Sequence, residues 1–594
     1  MISSRAARCW LIGLLALVFA IAFHSFALTP LKTHAAQGTQ LVLSSLQSPT
    51  TFNYALNEVS PNVFDFMYEG LVSQNGVTGK IEPDLAQQWE ISADGREIVF
   101  TLREGLKWSD GQSLTADDVV FTYNDIYFNQ QIPTSVRDIF KIGKNQVLPK
   151  VTKLDSQRIK FSLPETFAPF VRNTSVAILP AHILREFVSS KRSSDELPLL
   201  SIWRIDTNPA KIIVNGPYQI ERYTPDRRVE FRRNPYYWRK DERGNSQPYI
   251  DRVTLEILAS PEERLSKFRA GELDSLDILR PEDFEALKPE QKSGHFTLYN
   301  GGVKPGWIYL AFNLNKGRRP DGSSVVDPIQ SRWFNTVAFR QAVAYAIDRP
   351  TMLSKTFKGL GELLNSSIPV QSQYYLSPAQ GLKVYNYNPE QSKTLLLKAG
   401  FKYNAAGQLL DADGNRVRFT LITNQMNHSH TREVMAAQIQ QDLSKIGIQV
   451  DVQAVGFNEL IDRISNTLEW QAHLSGFTSG VEPNEGASIW LPEGGLHLFN
   501  YKPPSREPQL AGREVADWEL EISRLYLEGA KELDEAKRQA LYGEVQRLAQ
   551  EYVPIIYLVN QFSLAAVRDR IQNVKYSALG GVAWNIYELK VRDR

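Results

Sequence analysis

A serine hydrolase carries Gly-x-Ser-x-Gly, a sharp turn that lifts the nucleophile clear of the backbone. The nearest segment is Gly476-Phe477-Thr478-Ser479-Gly480, and Thr478 stands where the serine belongs. Phosphate cradles of the Gly-x-x-x-x-Gly-Lys-Ser/Thr type are absent, as is a Gly-x-Gly-x-x-Gly after a strand. His428-Ser429-His430 could present two imidazoles from a strand face or loop, but no third ligand is suggested nearby. Residues 232–240 interleave arginines with Tyr236, Tyr237 and Trp238, as a single-strand nucleic-acid platform would. A rigid, partly buried turn with a solvated rim is the better account of them. The pairs Asp117-Asp118 and Glu262-Glu263 read as acids placed against the positive end of a helix. The expectation is a protein without catalytic residues, metal ligands or cofactor.

Bulk composition narrows the field further. The 594 residues include 67 Lys+Arg and 66 Asp+Glu, a net charge of +1, which argues against a protein built to hold nucleic acid. One Cys is present, so no disulfide can form within the chain. Beyond the N-terminus no apolar run approaches the ~20 residues that span a bilayer.

The first 36 residues differ from the rest. Arg5 and Arg8 precede an apolar run over residues 10–23, and small residues at Ala27, Ala35 and Ala36 offer cleavage positions. This is the pattern of a secretory signal peptide, with an uncleaved membrane anchor as the rival reading. Cys9 lies ahead of the apolar run, where a lipid-modified cysteine would follow it. Removing the segment leaves a cysteine-free chain with 64 basic and 66 acidic residues.

Strand and helix patterns alternate along the remainder, without repeats, as in α/β lobes. Residues 96–102 alternate as a half-buried strand between turns at Asp94-Gly95 and Asp110-Gly111. Thr115 with Asp118 forms a capping-box pattern ahead of a helix. Helices are predicted over 339–347, 433–446 and 532–552, the second stopped by Gly447 and followed by a strand over 448–454. Polar loops at 189–196, 317–328 and 503–508 mark exposed connections, and 301–306 separates two strand-like pieces.

Six blocks in order resemble one family, the peptide/nickel-type extracytoplasmic solute-binding proteins, family 5. The first runs from Tyr68-Glu69-Gly70-Leu71-Val72 through Pro83-Asp84-Leu85-Ala86 to Leu114-Thr115-Ala116-Asp117-Asp118-Val119. Then come Asn215-Gly216-Pro217-Tyr218 with Arg233-Asn234-Pro235-Tyr236-Tyr237-Trp238, and Phe268-Arg269-Ala270-Gly271-Glu272-Leu273-Asp274. Phe312-Asn313 with Phe339-Arg340-Gln341-Ala342, Lys445-Ile446-Gly447 and Pro554-Ile555-Ile556 complete the set.

The resemblance implies an α/β, bilobed periplasmic-binding fold (class II, cluster C type) with an inserted domain. Lobe I maps to 37–62, 206–298 and 558–594, the insert to 63–205, and the second lobe to 299–557. It also implies the substrate-binding component of an ABC importer, in which an oligopeptide-like solute is trapped between closing lobes and handed to an inner-membrane permease with its ATPase subunits. The expected form is a monomer in the periplasm that binds no nucleic acid. Other solute classes (metal complexes, sugars, opines) and an envelope hydrolase remain as alternatives.

Family members line the cleft with two aromatics and an Asp that pairs with the peptide amine. Here the aromatic positions fall on Phe457 and Phe477, the latter followed by Thr478. The Asp position falls on Gly480 or Val481, a departure that leaves Glu482 as the stand-in. Asn427 and His430, Asn53 and Glu58, and Trp307 occupy further positions that the resemblance brings to the cleft.

Overall fold

The computed structural model describes residues 38–56, 63–189, 197–424, 430–503 and 510–592. The expected leader, Glu58, Asn427 and the pair His428-Ser429 lie outside the described residues.

Leu41 and Leu43 point inward from β1 (Gln40–Ser45), the alternation of a half-buried strand. The chain then builds an antiparallel sheet from β2 (Ala86–Ile91), β3 (Glu97–Leu102), β4 (Lys150–Lys153) and β5 (Arg158–Ser162), in the order β2-β3-β5-β4. β3 is the strand expected over 96–102, with Ile98, Phe100 and Leu102 buried. Against this sheet packs α1 (Ala116–Phe121), which opens as its sequence predicts. The Thr115 N–H donates to Asp118 at 2.9 Å while Thr115 Oγ1 accepts from the Asp117 N–H at 3.3 Å.

β6 (Tyr218–Thr224), β7 (Arg228–Arg233) and β8 (Arg252–Ile257) return to β1 in the order β1-β8-β7-β6. β1 runs parallel to β8, from Gln40 opposite Arg252 to Ser45 opposite Ile257. The arginine–aromatic segment after β7 is a buried junction. Trp238 Nε1 donates to Glu69 at 2.6 Å, Tyr237 donates to the same carboxylate, and Arg239 reaches Asp84 at 2.8 Å. Arg103 and Arg239 lie over the Trp238 ring at 4.2 and 4.7 Å. Burial, with Glu69 beside it, pushes the Asp84 carboxyl up against the pull of Arg239.

β9 (Ser275–Leu276) and β10 (Phe296–Val303) follow, and residues 304–306 cross to β11 (Trp307–Phe312) in a second body. That body contains α2 (Val337–Ala346), β12 (Arg418–Asn424), α3 (Thr431–Ser444), β13 (Gln449–Val455), α4 (Phe457–Ile461) and β14 (Ala472–Phe477). It ends with α5 (Asp517–Lys531), α6 (Glu535–Tyr552) and β15 (Ile555–Tyr557). Its sheet has the order β13-β12-β14-β11-β15. The chain crosses back at Leu558 into β16 (Val559–Arg568), which lies between β9 and β10. α3 starts two residues before the predicted helix, and Gly447 takes φ 77 past its end. α6 starts at Glu535, capped by Asp534, and α5 was not anticipated.

Two large apolar cores result. One gathers Leu41, Phe100, Tyr123, Phe161, Phe231 and Val253, and the other Phe312, Phe334, Phe339, Phe419, Met435 and Leu474. The segment after β5 also touches the second body. The Ala168 N–H donates to the Ala530 carbonyl at 2.8 Å, and Lys531 pairs with Glu165 at 2.7 Å. No helix among the described residues is long and apolar enough to cross a membrane.

Candidate functional site

The two crossings fix where the bodies face each other. β11 enters the second body at Trp307 and β15 leaves it at Tyr557, so the sheet presents these strand ends, with the end of antiparallel β14, to the crossing. The crossings are tied together by Asn560, whose amide donates to the carbonyls of Lys304 at 2.6 Å and Gly306 at 2.9 Å. Gln371 adds a donor to the Val303 carbonyl at 2.5 Å. Sequence reasoning missed Asn560, although the amide pair Asn560-Gln561 within the otherwise largely apolar run 555–567 was its signal.

Register carries Trp307 opposite Phe477 and Tyr309 opposite Ser475. The half-buried Phe477 ring stacks on Tyr309 at 5.3 Å and 12°, and meets Trp307 edge-on at 5.6 Å. His473 continues the wall, 5.3 Å from Tyr309 and 4.7 Å from Trp470. Trp307 Nε1, Tyr309 OH, Trp470 Nε1 and both His473 nitrogens are buried without a hydrogen-bond partner among the described residues. Burial, and then the charge of Arg432, holds the His473 imidazole down at about 3. Burial likewise lowers Lys304, on the crossing, to about 8.

Pairing of β12 with β14 ends at Thr423 opposite Leu474. Just past it, the Arg432 guanidinium donates to Asn424 Oδ1 at 2.5 Å and lies against Gly476. A Cβ on Gly476 would come within 2.8 Å of Arg432 Nη2 and 3.1 Å of the Trp307 carbonyl, so a side chain here would displace the guanidinium from its present place.

Two expectations need correction. Glu482 is 5% exposed and its carboxylate is held by Arg538, at 2.7 Å to Oε1 and 3.4 Å to Oε2. Arg538 also donates to Tyr374 OH and the Gly529 carbonyl, making Glu482 part of a buried ion pair rather than a free acid. Asn53 is 2% exposed, its amide donating to the Leu199 carbonyl at 3.0 Å and accepting from the Ala55 N–H at 3.1 Å. Both its polar ends are taken by backbone.

The acid that lies at position 480 is Glu485. Its Oε2 sits 2.0 Å from where a Cβ on Gly480 would be, and the Gly480 N–H donates to it. The short turn Pro483–Gly486 folds Glu485 back to this point. Burial pushes its carboxyl up, and Arg172 pulls it back. Of the other candidates, Thr478 is exposed beside Phe477, and Phe457 is 59% exposed on the first turn of α4. His430 is exposed ahead of α3 and lies 3.1 Å from Glu433. A surface pocket of about 470 Å³ near Arg319, Gln330 and Trp470 lies toward the other end of the sheet, and Arg319 there is spent on backbone carbonyls. No group of three His, Cys, Asp or Glu side chains among the described residues could hold a metal ion.

Comparison with known proteins agrees with this architecture. Residues 80–495 match the family described as bacterial extracellular solute-binding proteins, family 5. A probable ABC transporter-binding protein of Deinococcus radiodurans is 31% identical over 550 residues, covering 89% of this chain and 88% of the relative. The dipeptide-binding protein of Escherichia coli is 25% identical over 92% of this chain and 94% of its own. NikA from Brucella suis, solved in complex with Fe(III)-EDTA, superposes with a TM-score of 0.73 at 20% identity, over 93% of this chain and 100% of its own. The fold is therefore the bilobed periplasmic-binding type, and these relatives are solute-binding proteins rather than enzymes. The chain belongs to family 5 of the bacterial extracellular solute-binding proteins.

Proposed function

We propose that this chain is the periplasmic receptor of an ABC importer for an oligopeptide-like solute, exported by its N-terminal segment and working as a cleaved monomer. Lobe I with the insert forms one jaw and the second body the other. The observation that carries the reading is the aromatic wall of Trp307, Phe477 and Tyr309 set at the two tied crossings. Trp307 and Tyr309 are buried behind the half-buried Phe477, so a solute touching Phe477 and the facing lobe at once stabilises the shut form, and the membrane permease reads that form. Glu485 supplies the carboxylate for a solute amine that the family pattern expects at position 480. Both rigid jaws and a broad wall suit a flexible chain molecule; a dipeptide is what the Escherichia coli relative is named for.

The test is thermal unfolding and small-angle scattering of the mature chain with di- and tripeptides, saccharides and metal chelates. A peptide at 100 times its Kd should add about 2.7 kcal/mol of stability, compact the particle and emerge unaltered. Stabilisation by a saccharide or chelate alone would move the receptor to that solute class. Turnover of any compound would replace the receptor reading with an enzymatic one.

A further inference from the structure

The last four carbonyls of a helix have no partner within it. At the end of α5, the Glu528 carbonyl takes the Glu532 N–H and the Gly529 carbonyl takes Arg538 Nε, both from the same body. The Ala530 carbonyl is completed from the other body, by the Ala168 N–H at 2.8 Å. Ala530 itself is 7% exposed and packs with the apolar core of the first body, which holds Phe167 and Phe170. One residue on, Lys531 pairs with Glu165 at 2.7 Å. Leu533 then lies against the β2–β3 turn, where a Cβ on Gly95 would come within 2.7 Å of its Cδ1. Thr166 Oγ1 donates to the Asp94 carbonyl at 2.8 Å and so ties that turn to the same segment.

A backbone hydrogen bond, an ion pair and an apolar seat thus meet over residues 165–168 and 530–533. Further along the same segment, Arg172 donates to the Gly79 carbonyl at 2.9 Å, and its charge is felt at Glu485 in the second body. Gly79 in turn lies beside Val481, whose methyl groups are 3.3 Å from where its Cβ would be. The segment after β5 therefore borders the second body at two places. Neither place shares a residue with the crossings at 304–306 and 558, so a swing about the crossings makes or breaks these contacts.

We propose that residues 165–168 and 530–533 form a latch that holds the two bodies together by itself, so that the solute-free chain divides between an open and a shut form in a ratio the latch sets. Its parts are individually weak. Glu165 and Lys531 are both partly open to water, Leu533 is 47% exposed, and the one backbone bond is exchanged for bonds to water on opening. Contacts of this size suit a balance between two forms and not a permanent seal. The apparent affinity for a solute that binds the shut form scales with the fraction already shut. Loosening the latch therefore weakens each such solute by one common factor. That effect on affinity rests on the receptor reading above, whereas the ratio of the two forms does not.

Residues 37–594 contain no cysteine, so Lys144→Cys and Lys537→Cys give two unique sites for dyes. Lys144 follows Gly143, which abuts Glu165, and Lys537 stands on the first turn of α6. Single-molecule energy transfer between the dyes, on the mature chain without solute, should resolve two populations. Lys531→Glu and Leu533→Asp should each raise the open-to-shut ratio at least about threefold. Adding Glu165→Lys to Lys531→Glu should restore it, and circular dichroism establishes that each variant is folded. A single population before substitution, an unchanged ratio in both variants, or no restoration by Glu165→Lys would overturn the proposal. If a peptide binds while the variants leave the ratio unmoved, the receptor reading stands and the latch falls. If the ratio responds while peptides, saccharides and chelates all fail to bind, the receptor reading falls and the latch remains.

Discussion

The carboxylate of Glu485 fills the volume that a side chain on Gly480 would occupy, 2.0 Å from the position of its missing Cβ. The sequence lacks an acid at 480, and the fold returns one from five residues downstream. Gly480→Asp should therefore destabilise the chain by about 1–3 kcal/mol, because two carboxylates would share one place. Adding Glu485→Ala to Gly480→Asp should restore most of the loss. Chemical denaturation of the four proteins of this cycle checks it, and independent, additive effects would contradict it.

Glu482 is structural. Glu482→Gln should lower stability by about 3 kcal/mol, since Arg538 would stay buried without its counter-charge. Peptide affinity of the folded fraction should hardly change. A large affinity loss at unchanged stability would return Glu482 to the solute site.

Phe477→Ala should weaken solute binding while leaving the chain folded, because the ring is only half buried against Tyr309 and Trp307. Far-ultraviolet circular dichroism with a peptide titration separates the two effects. Collapse of the spectrum would make Phe477 a core residue.

His473 sets a pH dependence. Its folded value of about 3 lies below the unfolded 6.5, so the unfolded chain binds the extra proton between these limits. Its contribution is complete above 6.5 and is lost as pH falls through that window. At about pH 5.5 the loss should be near 1.4 kcal/mol relative to neutral pH. His473→Phe should lack this component in guanidinium denaturation at the two pH values, and an identical pH slope in both proteins would refute it.

Local features were readable from the chain, and meetings between distant segments were not. The Thr115–Asp118 cap, the alternation of β3 and the stop at Gly447 depend on neighbours within a few residues, so their patterns specify them. Phe477 and Trp307 were singled out separately, and only strand register set them face to face. Glu482 is the acid nearest to position 480 in sequence, and Glu485 lies three residues further on. The turn at Pro483–Gly486 inverts that order in space. Asn53 looked like a contact residue, and its amide is consumed by Leu199 and Ala55.

The link from Ala168 to Ala530, with Lys531 and Glu165 beside it, joins the segment after β5 to α5 of the second body through protein groups alone. A clasp of this kind is indifferent to cargo. In the proposed receptor it would lower the work that any one solute must do to keep the two bodies together, so that weak and dissimilar compounds could still be retained. Breadth of diet and firmness of hold then cease to be opposing demands on the same few side chains.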